Sequence, residues 1–139
     1  MKQEQQNQTG GQPQIINIHT KTLQNTNFRK EIWTGRYLQA TVMSIPPGGE
    51  IGIEMHDNID QFIRVEQGIA TVYMGDTRQN IKLVGTANHD NAIFIPTGTW
   101  HNLINNQRTP LKLYSIYAPP KHPVGTIHKT KLDSDLAES

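Results

Sequence analysis

Two polar segments of the chain, residues 47–68 and 90–105, constrain its fold more than any other feature. In the first segment, Glu54 and His56 are separated by one residue, so in an extended strand their side chains point the same way. Gln61 follows after a short loop and can face them from the next strand. His101 follows a Pro-Thr-Gly turn in the second segment. The sequence therefore predicts that Glu54, His56, Gln61 and His101 converge as ligands of one metal ion.

The spacing of these residues resembles the first sequence motif of the cupin family. That motif runs Gly, five residues, His-x-His, three or four residues, Glu, six residues, Gly. The matching positions are Gly48, Glu54, His56, Gln61 and Gly68. Glutamate therefore replaces the first histidine of the motif, and glutamine replaces its glutamate.

The second segment resembles the second cupin motif, which runs Gly, five residues, Pro-x-Gly, two residues, His, three residues, Asn. The matching positions are Asp90, Pro96, Gly98, His101 and Asn105. Aspartate replaces the opening glycine. Because both motifs occur in the correct order, the resemblance implies a cupin, whose fold is a double-stranded β-helix, or jelly-roll barrel.

The distribution of apolar residues independently predicts an all-β protein. Short apolar segments alternate with Gly- and Pro-containing breaks, and no sustained helical period is present. We expect an edge strand at residues 15–18, a strand at 51–56, and a hairpin through 66–68 that joins strands at 61–65 and 69–74. The other expected strands lie at residues 28–33, 37–45, 80–84, 92–95, 103–104 and 111–117.

The length of 139 residues fits one domain. Residues 1–14 are rich in Gln and Asn and are predicted to form a flexible tail, and residues 133–139 a frayed end. The cupin barrel is expected to occupy residues 15–132. The segment after the last strand, residues 118–130, contains two histidines and is interpreted as a surface loop, with a cover over the barrel mouth as the alternative.

Composition bears on partners and location. The net charge of +1 and the scattered Lys and Arg residues argue against binding to nucleic acid. No apolar segment is long enough to span a membrane, and the start of the chain lacks the apolar core of a secretory signal. The chain has no cysteine, which suits a reducing compartment and leaves only nitrogen and oxygen as metal ligands. We therefore expect a cytoplasmic protein.

The same alternation that turns Glu54 inward would turn Ile51, Ile53 and Met55 outward as an apolar stripe, with Phe62 beside it on the neighbouring strand. Many cupins are homodimers that pair through the outer face of one sheet. The resemblance therefore implies a homodimer, with a monomer as the alternative.

The four ligands comprise two imidazoles, one carboxylate and one amide, close to the two-histidine, one-carboxylate arrangement of non-haem Fe(II). Mn, Ni or Zn would also fit. The resemblance implies a metal-dependent enzyme acting on a small organic substrate, such as a dioxygenase or an isomerase of sugars or sugar phosphates. Two alternatives remain open: a non-catalytic cupin that binds or senses a small molecule such as a sugar, and an ordinary half-exposed strand carrying Glu54 and His56.

Overall fold

Residues 11–138 are described by the structure, a computed structural model. They form two α-helices, α1 (Ile18–Gln24) and α2 (Lys131–Glu138), a 3₁₀ turn at Arg78–Asn80, and nine strands. The strands are β1 (Arg29–Thr34), β2 (Gln39–Ile45), β3 (Asp60–Gln67), β4 (Ala70–Gly75), β5 (Lys82–Ala87), β6 (Ala92–Ile95), β7 (Trp100–Ile104), β8 (Leu111–Ala118) and β9 (Ile127–His128).

The strands form two antiparallel sheets, as expected for a double-stranded β-helix. One sheet has the order β6-β3-β8-β2-β1-β9 and the other the order β5-β4-β7. The central strands β3 and β8 alternate between buried and partly exposed residues, so one face of each lies in the barrel interior. The all-β jelly-roll prediction is confirmed.

The barrel interior is apolar at one end and polar at the other. Aliphatic side chains from both sheets form the apolar part, including Ile63, Val65, Leu103, Leu111 and Leu113. Further along the same inner faces lie buried polar residues, which are Arg29, Gln39, Thr41, His56, Gln61, His101 and Ser115. Because burying a polar group without a partner is costly, this end of the barrel requires ligands, hydrogen bonds or water.

The predicted edge strand at residues 15–18 is wrong. The chain instead enters α1 at Ile18, and the side chain of Asn17 caps the helix by accepting a hydrogen bond from the backbone N–H of Thr20 (3.0 Å). An asparagine at this position satisfies a free N–H of the first helical turn, which a strand would not need. Asn17 itself, which interrupts the aliphatic residues of 15–18, was the available sign of this cap.

The predicted hairpin through residues 66–68 is also wrong. β3 pairs with β6 and β8, whereas β4 pairs with β5 and β7. The connection therefore crosses from one sheet to the other. Gly68 has φ 89° at this crossing, a conformation that residues with a Cβ rarely adopt.

Residues 51–56 do not form the regular strand that we expected. Only isolated bridges are present, between Glu50 and Ile104 and between Glu54 and His101. Gly52 has φ 106°, which interrupts the alternation of faces, so Ile51 turns into the core and is only 7% exposed. The predicted outward stripe is therefore wrong at Ile51. Glu54 also pairs with the three-stranded sheet, whereas Phe62 belongs to the six-stranded one.

The predicted frayed end at residues 133–139 lies, from Asp133 to Glu138, in helix α2. Its Ser134 is buried, and the guanidinium of Arg29 donates to the Ser134 hydroxyl (2.6 Å). The predicted tail lies largely outside the described residues. Its described part, residues 11–14, contacts the barrel, because the Trp33 indole donates to the carbonyl of Gln12 (3.0 Å). Neither helix within residues 11–138 is long and apolar enough to cross a membrane.

Candidate metal centre

His101 is held in one orientation by the backbone of its own turn. Its Nδ1 lies 2.9 Å from the carbonyl oxygen of Thr99, which can only accept a hydrogen bond, so Nδ1 carries the proton. Nε2 then presents its lone pair to the barrel interior, where Glu54 Oε2 lies 3.3 Å away. A lone pair facing a carboxylate is repulsive unless a proton or a cation lies between them. This geometry is typical of a metal-ligating histidine whose other nitrogen is fixed by a carbonyl.

His56 approaches the same carboxylate from the other side. Its Nε2 lies 3.8 Å from Glu54 Oε2, and its ring centroid is 5.6 Å from that of His101. Burial lowers the pKa of His56, and the opposing effect of Glu54 only partly offsets this. The imidazole is therefore held in the neutral form, which is the form that binds metals.

Glu54 is held as a carboxylate. Burial raises its pKa, but the neighbouring His101, and after it His56 and Arg29, together outweigh burial, so the net pKa is lowered. Its side chain is 23% exposed, so the centre has a route to solvent. One anionic oxygen and two imidazole nitrogens therefore face one another.

These three residues fit a metal ion by their geometry. One ligand atom each from Glu54, His56 and His101 lie within 4.8 Å of one another. The Nε2 atoms of His56 and His101 are buried and have no hydrogen-bond partner. A divalent cation would satisfy both nitrogens and neutralise the carboxylate. The three residues could hold a metal ion.

Gln61, the fourth predicted ligand, lies on the inner face of β3 and is buried. Its amide nitrogen donates to the hydroxyl of Ser115 (3.3 Å), which leaves Oε1 without a hydrogen-bond partner. Across the sheet it pairs with Tyr117, whose ring centroid is 6.0 Å from that of His56. The amide oxygen is thus free on the side of the barrel where the three ligands meet, and its coordination stays a prediction.

Positions of the two motifs outside the ligand set have structural roles. Gly48 (φ 79°) and Gly98 (φ 82°) have left-handed backbones, and the N–H of Gly98 donates to the carbonyl of His56 (2.7 Å). Asp90, which replaces the opening glycine of the second motif, also has a positive φ of 75°. Aspartate tolerates this region better than most residues with a Cβ, so the backbone shape survives the replacement.

Sequence reasoning did not single out Tyr117, His122 or Arg29 as residues near the site. Tyr117 is buried, and its ring lies between His56 and His122, whose centroid is 5.2 Å away. The interpretation of residues 118–130 as a surface loop is wrong at His122, which is 7% exposed. Arg29 in β1 is likewise buried. No sequence signal distinguished Arg29, because it precedes Lys30 and Glu31 in β1 and because arginine is seldom buried without a partner.

Comparison with known proteins shows what this chain is similar to. A family model described as the cupin domain matches residues 41–117. The chain is 50% identical over 129 residues to protein YrkC of Bacillus subtilis strain 168, covering 93% of this chain and 69% of that protein. It is 38% identical over 114 residues to protein L612 of Acanthamoeba polyphaga mimivirus, covering 81% and 69%. The crystal structure of protein BH2720 of Bacillus halodurans superposes with a TM-score of 0.89 at 48% identity, covering 93% and 98%.

Proposed function

The chain belongs to the cupin family, and from this premise we propose that it is a metal-dependent enzyme acting on a small organic substrate. Glu54, His56 and His101 bind the divalent metal, and Gln61 adds a weaker amide oxygen. Fe, Mn, Ni and Zn all suit such a set of nitrogen and oxygen ligands. The reaction classes that fit are those of a dioxygenase or of an isomerase of sugars or sugar phosphates.

One observation carries the proposal. His101 Nε2 and Glu54 Oε2 lie 3.3 Å apart, while Nδ1 of the same imidazole is directed at a backbone carbonyl. A histidine that only packed in the core would place Nε2 against a donor or a hydroxyl. Here it faces a carboxylate, and the second imidazole faces the same oxygen at 3.8 Å.

Each residue of the site has a different role. Glu54 supplies the negative charge that retains a cation, and the two histidines fix its position, since their rings are held by burial and by Thr99. Protein ligands on one side leave other coordination positions open to substrate or water. A bound divalent metal would polarise a carbonyl or lower the pKa of a water molecule. Tyr117, whose pKa is raised by burial, stays protonated beside His56 and can donate a hydrogen bond.

We also propose that the protein is a cytoplasmic homodimer. The outer face of the six-stranded sheet carries an aromatic patch, defined by Phe62, Phe94 and Tyr114. The Phe62 ring centroid lies 5.3 Å from that of Phe94 and 6.3 Å from that of Tyr114. Phe94 is 70% exposed and adjoins the other two rings, and a contiguous exposed apolar patch of this kind is typical of an interaction surface. The cysteine-free sequence suits a reducing compartment.

Metal titration tests the enzyme proposal. Metal-free protein is titrated calorimetrically with Fe(II), Mn(II), Ni(II) and Zn(II), and the expected result is one equivalent of at least one metal bound per chain. Glu54→Gln should weaken binding strongly, because it removes the anionic ligand but keeps the side-chain shape. Asp76→Asn, which neutralises an exposed carboxylate, is the control. Absence of stoichiometric binding of any of the four metals would contradict the proposal.

A further inference from the structure

A cleft opens at the apolar end of the barrel, where β2 ends and β8 begins. Its volume is about 440 Å³, which lies within the range of small-molecule sites. The apolar part of its surface is formed by cyclic side chains, which are those of Phe28, Pro46, Pro47 and Pro110. We call this cavity the proline cleft. The described residues that line it include none of the four predicted metal ligands.

The cleft and the metal centre lie towards opposite ends of the same strands. Ser44 of β2 and Lys112 of β8 pair across the strands, and both line the cleft. Tyr117, whose ring contacts His56, lies five residues further along β8. At ~3.4 Å per residue in a strand, this separation is about 17 Å. A small molecule held in the cleft therefore lies outside the metal centre.

Lys112 presents a fixed, partly buried ammonium group to the cleft. Its Nζ donates to the carbonyl oxygens of Leu23 and Asn25, at 2.7 and 3.0 Å, at the C-terminal end of α1. Both acceptors are neutral, and an ammonium has three N–H donors, so one donor remains and the charge is not neutralised. Among residues 11–138, no carboxylate forms an ion pair with Lys112. The group is preorganised for an anion and loses little freedom when one binds.

The charges around the cleft leave a positive excess. Lys129 and Lys131 also line it, and Lys131 pairs with Asp135 (2.9 Å). Lys129 has no ion pair within the part of the chain that the structure describes. Glu50 is the carboxylate in the described lining, and its Oε1 accepts a hydrogen bond from Asn102 (2.7 Å). When Asp135 and Glu50 are both counted, the ammonium groups still exceed the carboxylates by one charge, so the cleft favours a monoanion.

The apolar surface of the cleft indicates a flat ring. Of the described residues that line it, none is Leu, Ile, Val or Met. Proline has no side-chain rotamers to lose, and Phe28 is held in the core at 3% exposure. Rigid ring faces pack well against another ring, as prolines do against aromatic side chains in peptide recognition. The cleft therefore favours an aromatic body over a flexible chain.

We propose that the proline cleft binds an aromatic monocarboxylate, whose ring packs on Phe28 and the prolines and whose carboxylate binds the ammonium groups of Lys112 and Lys129. This site goes beyond the proposed function and does not rest on it. Its binding can therefore be measured with or without metal.

Four probes and the full chain test the chemistry of the ligand. Hydrocinnamate carries the ring and the charge, hydrocinnamyl alcohol lacks the charge, propionate lacks the ring, and octanoate replaces the ring with a chain. Calorimetry should give one equivalent of hydrocinnamate per chain, with at least about tenfold weaker binding of the alcohol and of propionate. Equal binding of the alcohol, tighter binding of octanoate, or no saturable binding of hydrocinnamate would overturn the proposal.

Variants then locate the binding. Lys112→Gln should weaken hydrocinnamate binding by about tenfold, because a charge-assisted hydrogen bond is lost. Lys129→Gln should weaken it by about threefold, because this lysine is exposed, and it decides the matter alone if Lys112→Gln does not fold. Lys82→Gln, which removes an exposed lysine of β5 outside the cleft, is the control. Unchanged binding in the folded cleft variants, or an equal loss in Lys82→Gln, would overturn the proposal.

Metal dependence separates this proposal from the proposed function. Metal-free protein and Glu54→Gln should bind hydrocinnamate as tightly as wild type with metal, because the cleft contains no predicted metal ligand. Hydrocinnamate binding that requires metal and is lost in Glu54→Gln would overturn the cleft and support the metal centre. Tight hydrocinnamate binding by a protein that binds none of the four metals would refute the proposed enzyme and leave the cleft standing.

Discussion

Glu54 and His101 are hydrogen-bonded to each other through their backbones, and their side chains face each other. The N–H of each donates to the carbonyl of the other, at 3.0 and 2.9 Å, and Glu54 Oε2 lies 3.3 Å from His101 Nε2. This bridge attaches an otherwise irregular segment to β7. Two residues from separate motifs are thereby placed side by side, so the geometry of the candidate metal centre depends on backbone pairing and not on side-chain packing alone.

Gln39 should be among the most important polar residues for stability. Its amide donates to Thr34 and to the carbonyl of His122 and accepts from the N–H groups of Lys121 and His122. Gln39→Leu would leave these buried backbone groups unsatisfied, and we expect a loss of about 3 kcal/mol in the free energy of unfolding.

Urea denaturation measures this loss. Gln67→Leu is the matched control, because Gln67 makes one exposed hydrogen bond to the carbonyl of Pro110. An equal loss of unfolding free energy in the two variants would show that the buried hydrogen bonds of Gln39 stabilise the fold no more than one exposed hydrogen bond.

Asp90 should carry backbone strain at a position where the family motif has glycine. Its φ is 75°, and its carboxylate makes an exposed ion pair with Arg64 (3.2 Å). Asp90→Gly and Asp90→Ala both remove the ion pair, but only glycine relieves the strain. We expect the glycine variant to be more stable than the alanine variant by about 1 kcal/mol, measured by thermal unfolding. An alanine variant of equal stability would argue against strain.

Stability should fall in mild acid because of His122. Its pKa is lowered from 6.5 to about 3. Between these values the unfolded chain binds a proton that the folded chain does not, so the free energy of unfolding falls as pH drops, by at most about 1.4 kcal/mol per unit. Above pH 6.5, the ordinary pKa of histidine, His122 adds no pH dependence to the free energy of unfolding.

His122→Gln, which cannot titrate, should therefore flatten the profile between pH 4 and pH 6.5, which is about the ordinary value for histidine. His89→Gln replaces an exposed ring and is the control. A wild-type slope in His122→Gln would contradict the assignment of the acid sensitivity to this residue.

The aromatic patch predicts the dimer interface. Phe94→Glu places a charge among Phe62 and Tyr114, and an unpaired charge in an apolar interface should dissociate the dimer. Ile53→Glu tests the apolar stripe predicted from the sequence, because Ile53 adjoins Glu54 on the three-stranded side of the barrel. It should leave the dimer intact if the aromatic patch is the interface, and dissociate it if the stripe is. Sedimentation velocity at micromolar concentration measures both. A wild-type protein that sediments as a monomer would contradict the dimer proposal.

The sequence predicted the strands where residue periodicity alone was decisive. β6 matches its expected bounds, and β3 and β8 extend theirs by one or a few residues, because alternation and terminal Gly or Pro residues define them. The hairpin at 66–68 failed because a glycine-containing turn looks the same locally whether the next strand pairs with the last one or crosses to another sheet. Strand pairing of that kind is decided by the whole barrel.

The candidate metal centre was predictable for a different reason. Glu54, His56 and His101 have fixed motif spacings, and their convergence follows from those spacings. Arg29 and His122 had no such pattern, because they come from opposite ends of the chain and meet only when helix α2 packs against the barrel.

Gly52, whose left-handed backbone turns Ile51 inward, could not be distinguished from an ordinary strand glycine.

The most direct test of the metal centre is the metal content of wild-type protein and three variants after growth with added Fe, Mn, Ni and Zn. Wild type should contain about one metal ion per chain. His101→Ala removes a strong imidazole ligand and should lose nearly all of it, whereas Gln61→Ala should lose much less, since water replaces a neutral amide oxygen. His89→Ala, which removes an exposed histidine, should match wild type. Equal and negligible metal in all four proteins would contradict the metal centre.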